Sequence, residues 1–261
     1  MKLLIGNDPE VFVKKDGVLV SAYGLIEGDK EHPQLVRNGM VQVDGMALEF
    51  GIDPAATEEQ FIFRIEDVMG QLKAMIPGYE LDISPVAHFG EEMIQAQPEK
   101  AKELGCSPDF SAYTGGENHP PNAELPFRTA AGHIHIGWTE GEKIESKQHI
   151  DMVEALVKQL DFFLALPSLL FDEDKQRREM YGAAGCYRPK SYGCEYRTLS
   201  NKWLGSRDTM SLVYNNTKLA LDKLKKGDIL SDRWDNLEHI INNSDINEAR
   251  YIMEAEGIPY V

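Results

Sequence analysis

Apolar and polar residues alternate over the first 55 positions and then change period. "EVFVKKDGVLV" sets two β-rich arms around Asp16-Gly17, and "VQVDGMALEFGI" repeats the arrangement around Asp44-Gly45. Asp-Gly readily adopts the positive φ of a tight turn, so two antiparallel hairpins are expected. From Thr57 the spacing becomes helical: Phe61, Ile65, Val68, Leu72 and Met75 share one face, with Thr57 and Gln60 placed as a capping box. "YELDISPV" at 79–86 reads as another strand, whereas 88–128 is rich in Gly, Pro, Asn and charge and reads as a long excursion. "GHIHIGW" alternates as a strand, and Ile150, Val153, Val157, Leu160 and Leu164 then share a helix face that Pro167 ends or kinks. After an arginine-rich segment and a "CEYRTLS" strand, residues 208–256 read as two or three helices, the last boxed by Asp245 and Glu248. Hairpins interleaved with helices make an α+β protein with an antiparallel sheet and flanking helices. No repeat, low-complexity tract or linker divides the chain, so 1–261 is expected to be one domain with 208–261 as a C-terminal helical extension.

Composition changes this picture only at the level of partners. With 42 % apolar and 27 % charged residues, the 261-residue chain has the makeup of a globular protein with an ordinary core. A formal net charge of −16 argues against general affinity for nucleic acid or anionic membranes, both of which reward a basic surface. Cys106, Cys186 and Cys194 form an odd set without a C-x-x-C pair, which fits a reducing cytoplasm better than a disulfide framework or zinc knuckle. The start "MKLLIGNDPE" has too short an apolar run for a signal peptide, and no run approaches a membrane span.

Four segments place ionisable groups on alternate residues of an expected strand, which sends them to one face. Asp8 and Glu10 do so in "NDPEVF", Gln42 and Glu49 in the second hairpin, His133 and His135 in "HIHIG", and Glu195 and Arg197 in "EYR". Singly each is ordinary: a solvated acidic strand face, a hydrogen-bonded histidine pair, a surface ion pair worth about 0–1 kcal/mol. Together they are not, because carboxylates buried side by side are costly unless a cation neutralises them. Several carboxylates with one or two imidazoles and no thiolate pattern suit Mg²⁺ or Mn²⁺; zinc favours a tighter His/Cys set.

Around that face lies a basic cluster in an otherwise acidic chain. "CYRPKSYGCEYRTLSNKWL" gathers Arg188, Lys190, Arg197 and Lys202 around Glu195, and Arg177 and Arg178 precede it, with Gly182, Gly185 and Gly193 allowing close backbone approach. Forked guanidinium donors match phosphate and carboxylate oxygens, so the cluster is expected to bind phosphoryl oxygens while Glu195 holds a metal.

In order along the chain, "GNDPEVFV", "VQVDGMALEF", "RTAAGHIHIGW" and "RREMYGAAGCYRPKSYGCEYRTLSNKWL" resemble the phage-type carboxylate-amine ligases (type 2) of the glutamine synthetase-like superfamily. The resemblance covers roughly residues 4–215. It implies a glutamine synthetase-like antiparallel catalytic sheet that binds ATP and Mg²⁺ or Mn²⁺. It also implies chemistry in which ATP phosphorylates a substrate carboxylate and an amine displaces phosphate to form an amide. Carried over by motif, Asp8, Glu10, Asp44, Glu49, His133 and Glu195 would be metal ligands. His135, Arg188, Lys190 and Arg197 would contact the nucleotide, and Arg177, Arg178, Arg188 and Arg197 would act in catalysis. One departure is Asp-Pro-Glu where glutamine synthetase has E-x-E; Pro9 removes a ladder donor, so that strand is expected to be an edge or to begin there.

The expected function is thus an ATP-dependent ligase for small-molecule or peptide carboxylate and amine substrates, acting in the cytoplasm, that of the bacterial host if phage-encoded. An acyl phosphate must be kept from water, and the 88–128 excursion, with Gly115 and Gly116 as hinges, is the candidate lid. A phosphotransferase of guanidino-kinase type and a non-catalytic nucleotide-binding protein are the alternatives; oligomeric state and substrate identity stay open.

Overall fold

The computed structural model describes residues 3–102, 109–118 and 125–261. Cys106 and the 103–108 and 119–124 portions of the excursion lie outside the described residues. Strands β1 (Leu4–Asn7), β2 (Glu10–Lys15), β3 (Val18–Val20), β4 (Gln34–Val36), β5 (Gly39–Asp44) and β6 (Ala47–Ile52) precede helix α1 (Glu58–Met75). Then come β7 (Glu80–Asp82), β8 (Val86–His88), α2 (Glu91–Gln95), α3 (Glu99–Lys102), β9 (Phe110–Ser111), β10 (Phe127–Thr129) and β11 (Ile134–Gly137). The second half holds α4 (Lys147–Leu160), α5 (Leu166–Ser168), α6 (Gln176–Met180), β12 (Cys186–Lys190), β13 (Gly193–Tyr196), α7 (Arg207–Lys225), α8 (Leu237–Asn243) and α9 (Ile246–Glu256).

The strands form an antiparallel five-stranded sheet, ordered β1-β11-β13-β12-β9, a six-stranded sheet through β3-β2-β6-β5-β4 with β7 on β2, and the pair β10-β8. Helices cover one side: α1 packs on β5 and β6, α4 on β12 and β13, and α7 against both α1 and α4. One buried apolar cluster runs through Ile5, Phe50, Phe61, Val157, Trp203, Val213 and Ile252. The architecture is α+β, as the alternation and helical spacing imply.

Local chemistry explains most boundaries. Asp16 and Gly17 have φ of 53° and 78° and close the first hairpin between Lys15 and Val18. The second hairpin turns one residue later than expected, at Gly45-Met46, because Asp44 pairs with Ala47. Moving a two-residue turn by one position shifts the pairing by two, so the shared facing of Gln42 and Glu49 survives and they stand directly opposite. Thr57 accepts from Gln60 N at 3.2 Å, while Gln60 Oε1 accepts from Ala56 N instead of closing the box on Thr57. The expected 79–86 strand is broken into β7 and β8 around Ser84-Pro85.

Pro167 does not stop its helix. The chain stays helical to Ser168, and a π turn over Asp161–Ala165 precedes the proline, with Leu166 N bonded to Asp161 O. The carbonyl of Phe163, which Pro167 cannot satisfy, accepts from Asn216 Nδ2 of α7 at 2.8 Å.

Candidate active site

Pro9 separates the two sheets. Asp8 ends the run into the five-stranded sheet, and Glu10 begins the six-stranded one, its N–H bonded to Ala131 O at 2.9 Å. The two carboxylates therefore join two neighbouring clusters. In each, three ligand atoms lie within 4.8 Å of one another: Asp8, His135 and Glu195 in one, and Glu10, Asp44 and Glu49 in the other. Strand pairing builds both. Glu195 stands opposite His135 on one side and Arg188 on the other, and Glu10 stands opposite Glu49, itself opposite Gln42.

The first triad sits among cations and imidazoles. Asp8 Oδ2 is 3.0 Å from His135 Nε2 and Asp8 Oδ1 is 3.3 Å from His133 Nδ1. Glu195, 1 % exposed, has Lys190 Nζ at 2.8 Å and Arg188 Nη1 at 3.4 Å and is paired closely with Arg197. Burial works to raise the Asp8 and Glu195 carboxyls, but His135 and His133 hold Asp8 well below the usual range, and His133, Arg197 and His135 hold Glu195 down at about 2. Burial, then the Arg197 charge, pushes His133 down to about 4, against the pull of Asp8 and Glu195. Tyr192, in the β12–β13 turn, hydrogen-bonds to His135 Nδ1, which leaves Nε2 turned to Asp8.

The second triad lacks that compensation. Lys30 Nζ lies 2.7 Å from Asp44, Gln42 Nε2 donates to Glu49 at 3.0 Å, and Ala131 N donates to Glu10 at 2.9 Å. Burial and the Asp44 charge push Glu10 up to about 7, and burial with the charges of Asp8, Asp44 and Glu10 raises Glu49 well above its ordinary value. The second triad, with Asp8 of the first and His133, borders a cavity of about 300 Å³, whose walls also carry Arg177, Arg188, Arg197 and Asp109.

The donor sets fit a hard divalent cation. Asp8, His135 and Glu195 bring buried oxygen and nitrogen donors within 4.8 Å of one another, and Asp8 Oδ1 and His135 Nε2 lack a well-aligned hydrogen bond. Three carboxylates in mutual reach in the second triad, two with raised pKa, are what a bound cation would relieve.

The basic residues divide. Arg188, Lys190 and Arg197 reach Glu195, whereas Lys202 makes no ion pair with it. Arg177, 2 % exposed, lines the cavity and donates from Nη1 to Thr198 O at 2.7 Å and from Nη2 to Arg197 O at 3.2 Å, bracing the end of β13. Gly182, with φ of 79°, lets the chain pass over that guanidinium: a Cβ there would lie 2.0 Å from Arg177 Nη1. Arg178 does not join them. It faces the other way, bonded to Asp172 O at 3.1 Å and to Ser244 Oγ at 2.9 Å, because neighbours on a helix do not share a face.

Several site residues escaped the sequence. Asp109 accepts from Arg197 Nε at 3.1 Å, Lys30 reaches Asp44, and Arg128 lines the cavity. Asp109 and Arg128 come from the excursion and Lys30 from an irregular loop, where no periodicity announces facing. Ala101 and Asp109 place the described parts of the excursion at the cavity, and Gly115 has φ of 68°. A second cavity of about 470 Å³ opens on the far side of Asp8 and His135, walled by Leu4, Met40, Ile52 and Tyr192.

Against known proteins, the order of motifs finds a counterpart. Residues 121–236 match the family model described as phage phiEco32-like COOH.NH2 ligase-type 2. That segment holds His133, His135, the arginines and Glu195, while Asp8, Glu10, Asp44 and Glu49 precede it. A solved structure entitled "Crystal structure of novel glutamine synthase homolog" superposes with a TM-score of 0.39 at 10 % identity, covering 97 % of this chain and 66 % of its own. No curated protein matches the sequence at a significant level. Among the described residues, no helix is long and apolar enough to cross a membrane.

Proposed function

We propose that the chain is an ATP-dependent carboxylate-amine ligase: ATP phosphorylates a substrate carboxylate, and an amine displaces phosphate from the acyl phosphate to leave an amide. The observation that carries this reading is the pair of triads on either side of Pro9, with Asp8 of one and all of the other lining a cavity walled by arginines. The name of the matching family supports the same chemistry.

Asp8, His135 and Glu195, with His133 beside them, would hold one Mg²⁺ or Mn²⁺, and Glu10, Asp44 and Glu49 another. Such ions neutralise the carboxylates and offset charge on phosphoryl oxygens. Arg188, Lys190 and Arg197 stand where guanidinium and ammonium donors stabilise a transferring phosphoryl group. Arg177 orients the β13 end through two carbonyls. Arg178 has no part in this reading. In this reading the cavity beside His135 takes the nucleoside, its phosphates lie at the first triad, and the acceptor lies in the cavity lined by the second. Such an enzyme, if phage-encoded, works in the cytoplasm of the bacterial host, which keeps the buried, unpaired Cys186 and Cys194 as thiols.

Thermal unfolding with ATP in Mg²⁺, Mn²⁺ or EDTA tests the reading before any acceptor is known. Ligand at about 100 times its dissociation constant adds roughly 2.7 kcal/mol. A metal-dependent rise in Tm with ATP that Glu195→Ala removes is expected, followed by stoichiometric ADP and phosphate release with the right carboxylate and amine. No metal-dependent shift at millimolar ATP, or a stable phosphorylated product without amide, contradicts it.

A further inference from the structure

Arg128 is the one arginine in the cavity wall that no carboxylate neutralises among the described residues. Its side chain is 6 % exposed, and Nη1 donates to Leu125 O and Phe127 O at 2.9 and 2.8 Å. Nε and Nη2 are buried without a hydrogen-bond partner. Arg197 and Arg188 differ, since each is paired with Glu195, and Arg197 also with Asp109. Arg177 lies near the Asp172 and Glu10 charges, whereas burial alone acts on Arg128 and lowers its pKa. A buried guanidinium with two idle donors costs stability unless something anionic completes it.

We propose that Arg128 receives a carboxylate of the acceptor substrate, distinct from the carboxylate that is activated, so the cavity takes a small dicarboxylate or an amino acid. That this ligand is the acceptor and that its other carboxylate is activated rest on the ligase reading; carboxylate binding at Arg128 does not.

The idle edge is shaped for this class of ligand, because Nε and one terminal nitrogen form the fork that matches two carboxylate oxygens. Its surroundings favour a carboxylate over a phosphoryl group. Phe12, Met46, Ala47 and Ala101 share the cavity wall with Arg128 and belong to, or border, an apolar cluster under β8 and β10. Arg128 stands opposite Ala87 in that strand pair, away from the strands that carry the triads. A phosphoryl group belongs beside the cations, whereas a carbon chain with a terminal carboxylate can lie along the apolar wall. The volume of about 300 Å³ suits a molecule of amino-acid size.

The test is calorimetric titration of the full chain in Mg²⁺ with four probes: glutarate, L-glutamate, inorganic phosphate and ADP. Wild type, Arg128→Gln and Arg128→Lys are compared. Expected is binding of glutarate or L-glutamate by the wild type, weakened at least tenfold in Arg128→Gln and less in Arg128→Lys, with ADP bound alike by all three. Arg128→Gln should also melt within about 2 °C of wild type, since the change removes a buried charge that nothing offsets. Equal carboxylate affinity in wild type and Arg128→Gln, or no carboxylate binding by the wild type, overturns the proposal. So does loss of phosphate or ADP binding in place of carboxylate binding, which would make the ligand a phosphoryl group. Arg128-dependent carboxylate binding without any ADP binding would instead uphold the proposal and count against the ligase reading.

Discussion

Asp8 and Glu10 are two residues apart and live in opposite electrostatic surroundings. Asp8 shares its triad with one imidazole, has a second beside it, and faces a carboxylate ringed by Arg188, Lys190 and Arg197, so burial is outweighed and its proton is lost easily. Glu10 shares its triad with two more carboxylates, one lysine and one amide, so burial wins and its pKa rises to about 7. The first site is nearly balanced by the protein's own cations, whereas the second is an unbalanced hole in the charge distribution. Strand proximity alone does not set a carboxylate's state; the neighbours that the opposite strands bring do.

The comparison breaks most visibly at Glu195. Glu195→Ala leaves Arg188, Lys190 and Arg197 around a vacated buried position and should cost about 3–5 kcal/mol of stability, read by urea unfolding, besides abolishing turnover. Glu10→Gln goes the other way. It removes a burdened carboxylate while keeping an acceptor for Ala131 N, and should stabilise the metal-free protein by about 1–2 kcal/mol while weakening metal binding. Destabilisation by Glu10→Gln in EDTA would erase the contrast.

Next in size is the pH response. Glu10 titrates near 7 in the folded chain against an ordinary 4.5, so the folded state holds more protons than the unfolded state across that window. Metal-free stability should therefore fall as pH rises from about 4.5 to 7, by up to a few kcal/mol from Glu10. Glu49 adds to the loss with the same sign. Saturating Mg²⁺ or Mn²⁺ should flatten the slope, leaving the part due to Asp161, whose carboxyl burial pushes up to about 7 and which lies outside the cavity wall among Tyr113, Tyr196 and Thr198. Identical pH profiles with and without metal would contradict the account.

Smaller effects separate the arginines and the rim. Arg178→Ala should lower stability by about 1–3 kcal/mol through lost bonds to Asp172 and Ser244 and leave ATP and metal affinity unchanged, since it stands outside the cavity. Lys30→Ala should shift stability by less than about 1 kcal/mol, because Lys30 is 39 % exposed.

What the sequence made legible was what period-2 alternation encodes. His133 with His135 and Glu195 with Arg197 face together as their spacing demands, and the Gln42–Glu49 pairing survived a misplaced turn because parity survives. The division of Asp8 from Glu10 was not legible, since it depends on Pro9 passing between two sheets whose partners come from distant strands. Arg178 looked equivalent to Arg177 because both precede the same motif, yet only helix facing decides which one enters the cavity. The π turn at Asp161 is a tertiary adjustment, completed by Asn216 on a helix some fifty residues away. Arg128 carries no local signal: its meaning lies in a carboxylate that is missing, and only packing shows an absence.

Two separable cation sites flanking Pro9 can be counted by a Mn²⁺ titration of the metal-free protein, followed by calorimetry and by the electron-spin signal of free ion. The account predicts two ions bound by the wild type, with Glu10→Gln losing one and retaining the other. A single ion in the wild type, or loss of both in Glu10→Gln, would show that the triads are not separate sites.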